Sequence, residues 1–223
     1  MNLMGTSNWQ NIPFCINAIR RIQPQRILDV GIGFGRWGIL CREFLEVWNG
    51  KTHIANWELQ IDGVEIFESN IEEYHKFFYS NIYNENISDF LIRIDNVYDL
   101  IILGDVMEHF EEKNALDLLN LCLKRSEYVI LNLPLGKDWQ QGEIYGNPYE
   151  RHLSFWEKKN IRGKNCIHYK IFRDYIGRKF GSFLLSEIHS KISFVKRTII
   201  KLKFKMDNYP YPKSIVNERF NRK

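Results

Sequence analysis

Apolar residues return along this chain in two alternating rhythms. From residue 8 to 22 they recur at helical spacing, and the next run, Arg26–Val30, is apolar at Ile27, Leu28 and Val30, as a buried strand requires. Helical spacing resumes over 37–48, a strand is expected over 59–65, and a helix over 70–79. "NIYNENI", from Asn81, reads as a weaker strand, and "YDLIILGD", ending at Asp105, as a strong buried one. Residues 106–124 read as a helix and "EYVILNLP", ending at Pro134, as the following strand. Strand and helix thus alternate for five cycles. That alternation predicts an α/β fold, Rossmann-like and doubly wound, with a mostly parallel sheet between helices.

Length and composition narrow this picture. A chain of 223 residues buries a substantial core, so one domain over 1–190 is expected, with a helix in 1–24 and an insertion over 135–165. The start, MNLMGTSNWQ, has neither a basic segment nor an apolar stretch, and we expect a cytoplasmic protein. Cys15, Cys41, Cys122 and Cys166 lack metal-site spacing and read as reduced core residues. The net charge of +4 is too mild to announce nucleic-acid binding, but positive charge gathers in a tail, 191–223. There, "KISFVKRTIIKLKFKM" interleaves apolar residues with Lys196, Arg197, Lys201, Lys203 and Lys205. Such a segment can lie on an anionic membrane. The preferred reading is an element that packs its apolar side on the core.

Chemistry begins at "RILDVGIGFGRWGIL". Gly33, Gly35 and Gly38 spell the G-x-G-x-x-G of a dinucleotide loop, while Asp29, Gly31, Gly33 and Gly35 spell D-x-G-x-G-x-G. A dinucleotide site needs a ribose-binding acid about 20 residues on. The acid ending the second strand, Glu65, lies farther along. A carboxylate at Asp29 would also repel a pyrophosphate and tolerate a sulfonium.

These pieces resemble, in order, the class I S-adenosylmethionine-dependent methyltransferases over roughly residues 25–156. In "LDVGIGFG" the resemblance puts Asp29 near the methionine end and Gly31, Gly33 and Gly35 against the ligand. In "GVEIFE" it implies that Glu65 accepts the ribose hydroxyls and that Ile66 lies along the adenine. In "NENISDFL" it puts Asn86, where the family usually has aspartate, at the adenine amino group, with Ile87 beside it. In "LGDVMEHF" it puts Gly104 and Asp105 near the reactive methyl. It further implies a seven-stranded sheet whose last strand is antiparallel, with "HYKIFRDY" and "SFLLSEI" as the final pair.

The acceptor side is where a methyltransferase needs its own chemistry. Asp105, Glu108 and His109 fall at spacings that share one side of a helix, and His152 closes the long aromatic stretch "LGKDWQQGEIYGNPYERHLSFW". The expected catalytic residues are His152, as general base, with His109 and Glu108 beside it. The stretch also resembles the E-x-x-E-H metal motif of ubiquinone-pathway and small-RNA 2′-O-methyltransferases. Here Asp105 replaces the first glutamate, Glu108 and His109 match, and His152 stands as the downstream ligand. The aspartate shortens one arm, so a divalent metal at these four residues is not the favoured reading. O-methylation of a small-molecule or glycan acceptor is expected. RNA 2′-O-methylation, a non-catalytic nucleotide-binding module and an NAD-dependent oxidoreductase are the alternatives.

Overall fold

The computed structural model describes residues 8–95, 97–187 and Phe204. Its order is α1 (Ile12–Ile22), β1 (Arg26–Val30), α2 (Arg36–Leu45), β2 (Gln60–Glu65), β3 (Asn81–Asn84), α3 (Ile87–Arg93), β4 (Tyr98–Gly104), α4 (Glu112–Arg125), β5 (Ser126–Leu135), α5 (Lys158–Arg162), β6 (Cys166–Arg173) and β7 (Lys179–Leu185). α1 has a proline in its first turn and stops at Gln23, whose left-handed backbone returns an N–H to the Ile19 carbonyl before Pro24.

The seven strands form one sheet in the order β3-β2-β1-β4-β5-β7-β6. The first five run parallel, and β7 is antiparallel to both β5 and β6. β6 therefore runs with the first five, and β7 alone runs against them. Both faces of the sheet are covered, which is why the central strands are apolar throughout. On β4, Leu100 and Ile102 join Ile19 of α1 and Cys41 of α2, while Ile101 and Leu103 join Leu118 and Leu119 of α4. The four cysteines are free thiols.

Two expected elements differ and one unexpected element is present. In place of a helix over 70–79 stand two 3₁₀ turns, Glu68–Asn70 and Glu73–Phe77. His75 and Tyr79 are drawn under the glycine loop instead of following a 3.6-residue period. Residues 106–124 split into a 3₁₀ turn, Met107–His109, and α4. The Glu108 carbonyl, which a continuous helix would use internally, accepts from the N–H groups of Leu153 and Ser154 at 2.8 and 3.2 Å. Finally, α3 had no counterpart in the sequence reading. Its N-cap is Asn86, whose Oδ1 accepts from the Ser88 N–H at 2.8 Å.

The basic segment lies outside the described residues except for Phe204, which is buried with its ring 6.5 Å from that of Tyr128. Among the described residues, no helix is long and apolar enough to cross a membrane.

Candidate active site

Parallel strands leave their carboxyl ends along one edge, and the turns there enclose a cleft of about 530 Å³. β1 opens into it through Gly31 and Gly33, both in the left-handed region at φ 67° and 46°. A Cβ on Gly31 would lie 3.0 Å from Val106 Cγ2. The loop is clamped from both sides. Glu65 Oε2 accepts from the Gly33 N–H at 3.2 Å, and Oε1 accepts from the Phe67 N–H at 2.9 Å. Opposite, His75 Nδ1 accepts from the Glu72 N–H at 3.0 Å, so its Nε2–H is free to donate to the Gly33 carbonyl, also at 3.0 Å. Burial raises the Glu65 carboxyl, and the backbone N–H groups of Phe67 and Gly33 hold part of that rise back.

Gly31, Gly33, Glu65 and Ile66 line the cleft at this end, as do Asn86, Ile87, Gly104 and Asp105. Asn86 spends its side-chain oxygen on capping α3, so the amide it presents to a ligand is already tied down on one side. Gly104 has a steric reason: a Cβ there would sit 2.5 Å from Trp37 Nε1. Asp105 follows at φ 58°, an uncommon conformation for a residue with a side chain, and its N–H donates to the Asn132 carbonyl at 3.1 Å.

Two expected ligand residues are placed elsewhere. Asp29 is fully buried behind the loop, where the Tyr79 hydroxyl donates to its Oδ2 at 2.5 Å. Burial pushes its carboxyl up to about 8 despite that hydrogen bond. Gly35 is also off the wall, with a Cβ position 2.9 Å from the His75 ring. Asp29 supports the loop from behind because β1 points alternate residues to opposite faces, and Gly35 because it is the N-cap of α2, packed on His75. Gly38 lies within α2, and a Cβ there would meet the Tyr79 ring at 2.5 Å, so it belongs to helix packing.

At the other end Glu108, His109 and His152 come together, each offering a donor atom within 4.8 Å of the others. The imidazole centroids are 5.1 Å apart. The shared helical face expected for Asp105, Glu108 and His109 is not what joins them. Asp105 stands outside the cluster, and Glu108 and His109 reach it from the 3₁₀ turn. The Nδ1 of His109 meets the Arg151 carbonyl at 3.2 Å, and that of His152 meets the Trp139 carbonyl. A carbonyl only accepts, so each Nδ1 carries the proton and each Nε2 keeps a lone pair. Burial pushes His109 down to about 4 and lowers His152 as well, so both rings are neutral near pH 7. Glu108 is 1% exposed and its carboxyl is pushed far up, first by burial and then by the charge of Asp105. Its Oε2 has no hydrogen-bond partner.

No protein family model matches the chain, and no curated protein matches it in sequence. Solved structures do match. An S-adenosylmethionine-dependent methyltransferase from Archaeoglobus fulgidus superposes with a TM-score of 0.52 at 16% identity, over 77% of this chain and 93% of its own. The fold is that of the class I S-adenosylmethionine-dependent methyltransferases. The same methyltransferase fold matches TomG, an O-methyltransferase of tomaymycin synthesis from Streptomyces achromogenes solved with S-adenosylmethionine. That TM-score is 0.51 at 14% identity, over 81% of this chain and 82% of the other. The N-terminal domain of EvdMO1, solved with S-adenosylhomocysteine and D-fucose, gives 0.51 at 14%, over 81% of this chain and 84% of the other.

Within the methyltransferase fold, several wall residues escaped the sequence reading. Trp37 stands out in "FGRWG" as a bulky residue beside glycines, but nothing there links it to Gly104. Behind the wall, His75 and Tyr79 carry no signal of their role, because the loop atoms they hold, on Gly33 and Asp29, lie more than 40 residues away. Trp139, Gln141, Tyr145, Tyr149 and Glu150 belong to a stretch whose aromatic content was visible and whose path was not.

Proposed function

We propose that the chain is an S-adenosylmethionine-dependent methyltransferase acting on a hydroxyl group of a small-molecule or glycan acceptor. One observation carries this reading: a single cleft joins the glycine loop and Glu65 to two imidazoles and a buried carboxyl. The walls suit the cofactor. Gly31 and Gly33 present backbone without side chains, and the Glu65 carboxylate, with two N–H groups on it, keeps lone pairs for a ribose. When bound, S-adenosylmethionine supplies a methyl group on a sulfonium leaving group. Glu65 would accept from the ribose hydroxyls, Ile66, Ile87 and Asn86 would hold the adenine, and Gly104 and Asp105 would border the reactive end.

The chain's remaining work is alignment and proton removal. The neutral His152 takes the acceptor's proton on Nε2, its ring held by the Trp139 carbonyl. His109, fixed by the Arg151 carbonyl, orients the hydroxyl beside it. Titration calorimetry with S-adenosylhomocysteine and with NAD tests the reading. The first should bind and the second should not; the reverse would overturn it.

The unpartnered Glu108 Oε2 favours a second reading of the same cluster. Glu108, His109 and His152 fit a divalent metal, since a backbone carbonyl on each Nδ1–H leaves Nε2 as the ligand. A metal there would supply Lewis acidity that lowers the pKa of the acceptor hydroxyl.

A further inference from the structure

Charge is unevenly distributed around the cleft. Among its described lining residues five carry carboxyl groups, Glu65, Glu85, Asp105, Glu108 and Glu150, against a single arginine, Arg36. Arg36 lies in the field of Asp105, and Glu85 is paired with Arg93 at 2.5 Å. Glu150 feels the charge of Glu65, and the charges of Asp105 and Glu150 help hold the buried Glu108 carboxyl in its protonated form, so the acidic field of the cofactor end reaches the acceptor end through Asp105 and Glu150. A phosphate or carboxylate entering here would meet repulsion, with Arg36 as the one cation among the described lining residues and already in the field of Asp105.

The hydrogen-bonding inventory points the same way. The protonated Glu108 carboxyl, whose Oε2 is buried without a partner, both gives and takes a hydrogen bond and so favours neither sign of ligand. The Gln141 side-chain N–H donates to the Glu150 carbonyl at 2.7 Å, leaving its amide oxygen to face a ligand. The Glu150 carboxylate has only a long contact, 3.5 Å, from Asn147 Nδ2. Acceptors therefore predominate, and the matching ligand is rich in O–H donors.

The apolar surface is aromatic and held in place. Trp139 donates its indole N–H to the Lys179 carbonyl at 2.7 Å, and the Arg178 guanidinium covers one of its faces at 3.8 Å. That clamp keeps the indole on the cleft wall at little entropic cost to a ligand that packs on it. Tyr149, 49% exposed, stands across the mouth with its ring centroid 6.5 Å from that of Phe67. Flat aromatic walls with oxygen acceptors between them suit a ring that has apolar C–H faces and hydroxyls on its rim.

We infer that the acceptor is a polyhydroxylated sugar ring free of negative charge, with Trp139 as its packing face and Gln141 and Glu150 as partners of its hydroxyls. This deepens the proposed function and rests on it. Saturation-transfer NMR on the full chain loaded with S-adenosylhomocysteine tests it. The probes are uncharged methyl hexosides and deoxyhexosides, the corresponding glycosyl phosphates and uronates, and a short RNA. Transfer is expected from the uncharged glycosides, at least 10-fold weaker from the anionic sugars and absent from the RNA. Trp139→Ala should weaken the glycoside signal at least 10-fold while leaving S-adenosylhomocysteine affinity within about 2-fold. Equal or stronger signals from the anions or the RNA would overturn the inference. So would the absence of any glycoside signal, or its persistence in Trp139→Ala. Failure of the proposed function itself would read differently: S-adenosylhomocysteine would not bind in calorimetry.

Discussion

Glu65→Ala separates a binding role from a bracing one. The carboxylate holds the Gly33 N–H at 3.2 Å and the Phe67 N–H at 2.9 Å before any ligand arrives, so truncation removes two loop contacts as well as the ribose partner. Each bracing bond is worth roughly 1 kcal/mol of stability, and a bond from a ribose hydroxyl to the charged group roughly 1.5–3 kcal/mol of affinity. Affinity for S-adenosylhomocysteine should fall about 10- to 150-fold, at about 1.4 kcal/mol per factor of ten. Calorimetry with the 2′-deoxy analogue distinguishes the two roles. Wild type should lose affinity when the 2′-hydroxyl is removed, whereas the alanine variant, already without its acceptor, should barely respond. If the analogue costs both proteins the same, Glu65 braces the loop and does not read the ribose. The pH response has a defined sign. Because burial raises the Glu65 pKa, affinity should fall as pH drops through that raised value, and the alanine variant should lose this dependence.

Gly104→Ala would place a methyl 2.5 Å from Trp37 Nε1, so the indole, which lines the cleft, must shift; cofactor binding should weaken at least 10-fold with a change in tryptophan fluorescence, and unaltered binding would contradict the steric argument. His152→Ala should lower turnover by about 10² to 10⁴ with cofactor affinity intact if the imidazole is the base. If a metal is held instead, Glu108→Ala and His109→Ala should be as damaging, and a chelator should stop turnover until Mg²⁺ or Mn²⁺ is restored. For Asp29, the folded pKa of about 8 lies above the ordinary 3.8, so its contribution to stability is full at low pH and is lost as pH rises through that interval. Asp29→Asn should flatten this loss, worth up to several kcal/mol at about 1.4 kcal/mol per pH unit, and denaturation of both proteins at pH 4 and pH 9 checks it.

Several strands were legible along the chain because a parallel strand covered on both faces must be apolar along its length. "RILDV" and "YDLIILG" could hardly be anything else, and each ends where a glycine, Gly31 or Gly104, lines the cleft. β3 is the contrasting case. It is an edge strand, exposed at Asn81 and Asn84, and carries little apolar signal. The short α3 was hidden for another reason: its seven residues span too few turns for periodicity to declare itself, and its cap, Asn86, reads equally well as a turn residue.

The limits at the site have a common physical origin. The spacing of Asp105, Glu108 and His109 fits a helix, and a helix would have put all three on one face. What prevents it is the chain 45 residues later, where the Leu153 and Ser154 N–H groups claim the Glu108 carbonyl, together with the left-handed turn at Asp105. The result still gathers Glu108 and His109, but it delivers them to His152 and leaves Asp105 facing Arg36. A motif therefore brought out the cluster while misstating its geometry, because residue type is local and the turn that aims a side chain is decided by whichever distant segment satisfies its backbone. His75 carries this furthest. It reaches the glycine loop through the Gly33 carbonyl while the Glu72 N–H fixes its ring, and neither contact leaves a trace in side-chain spacing.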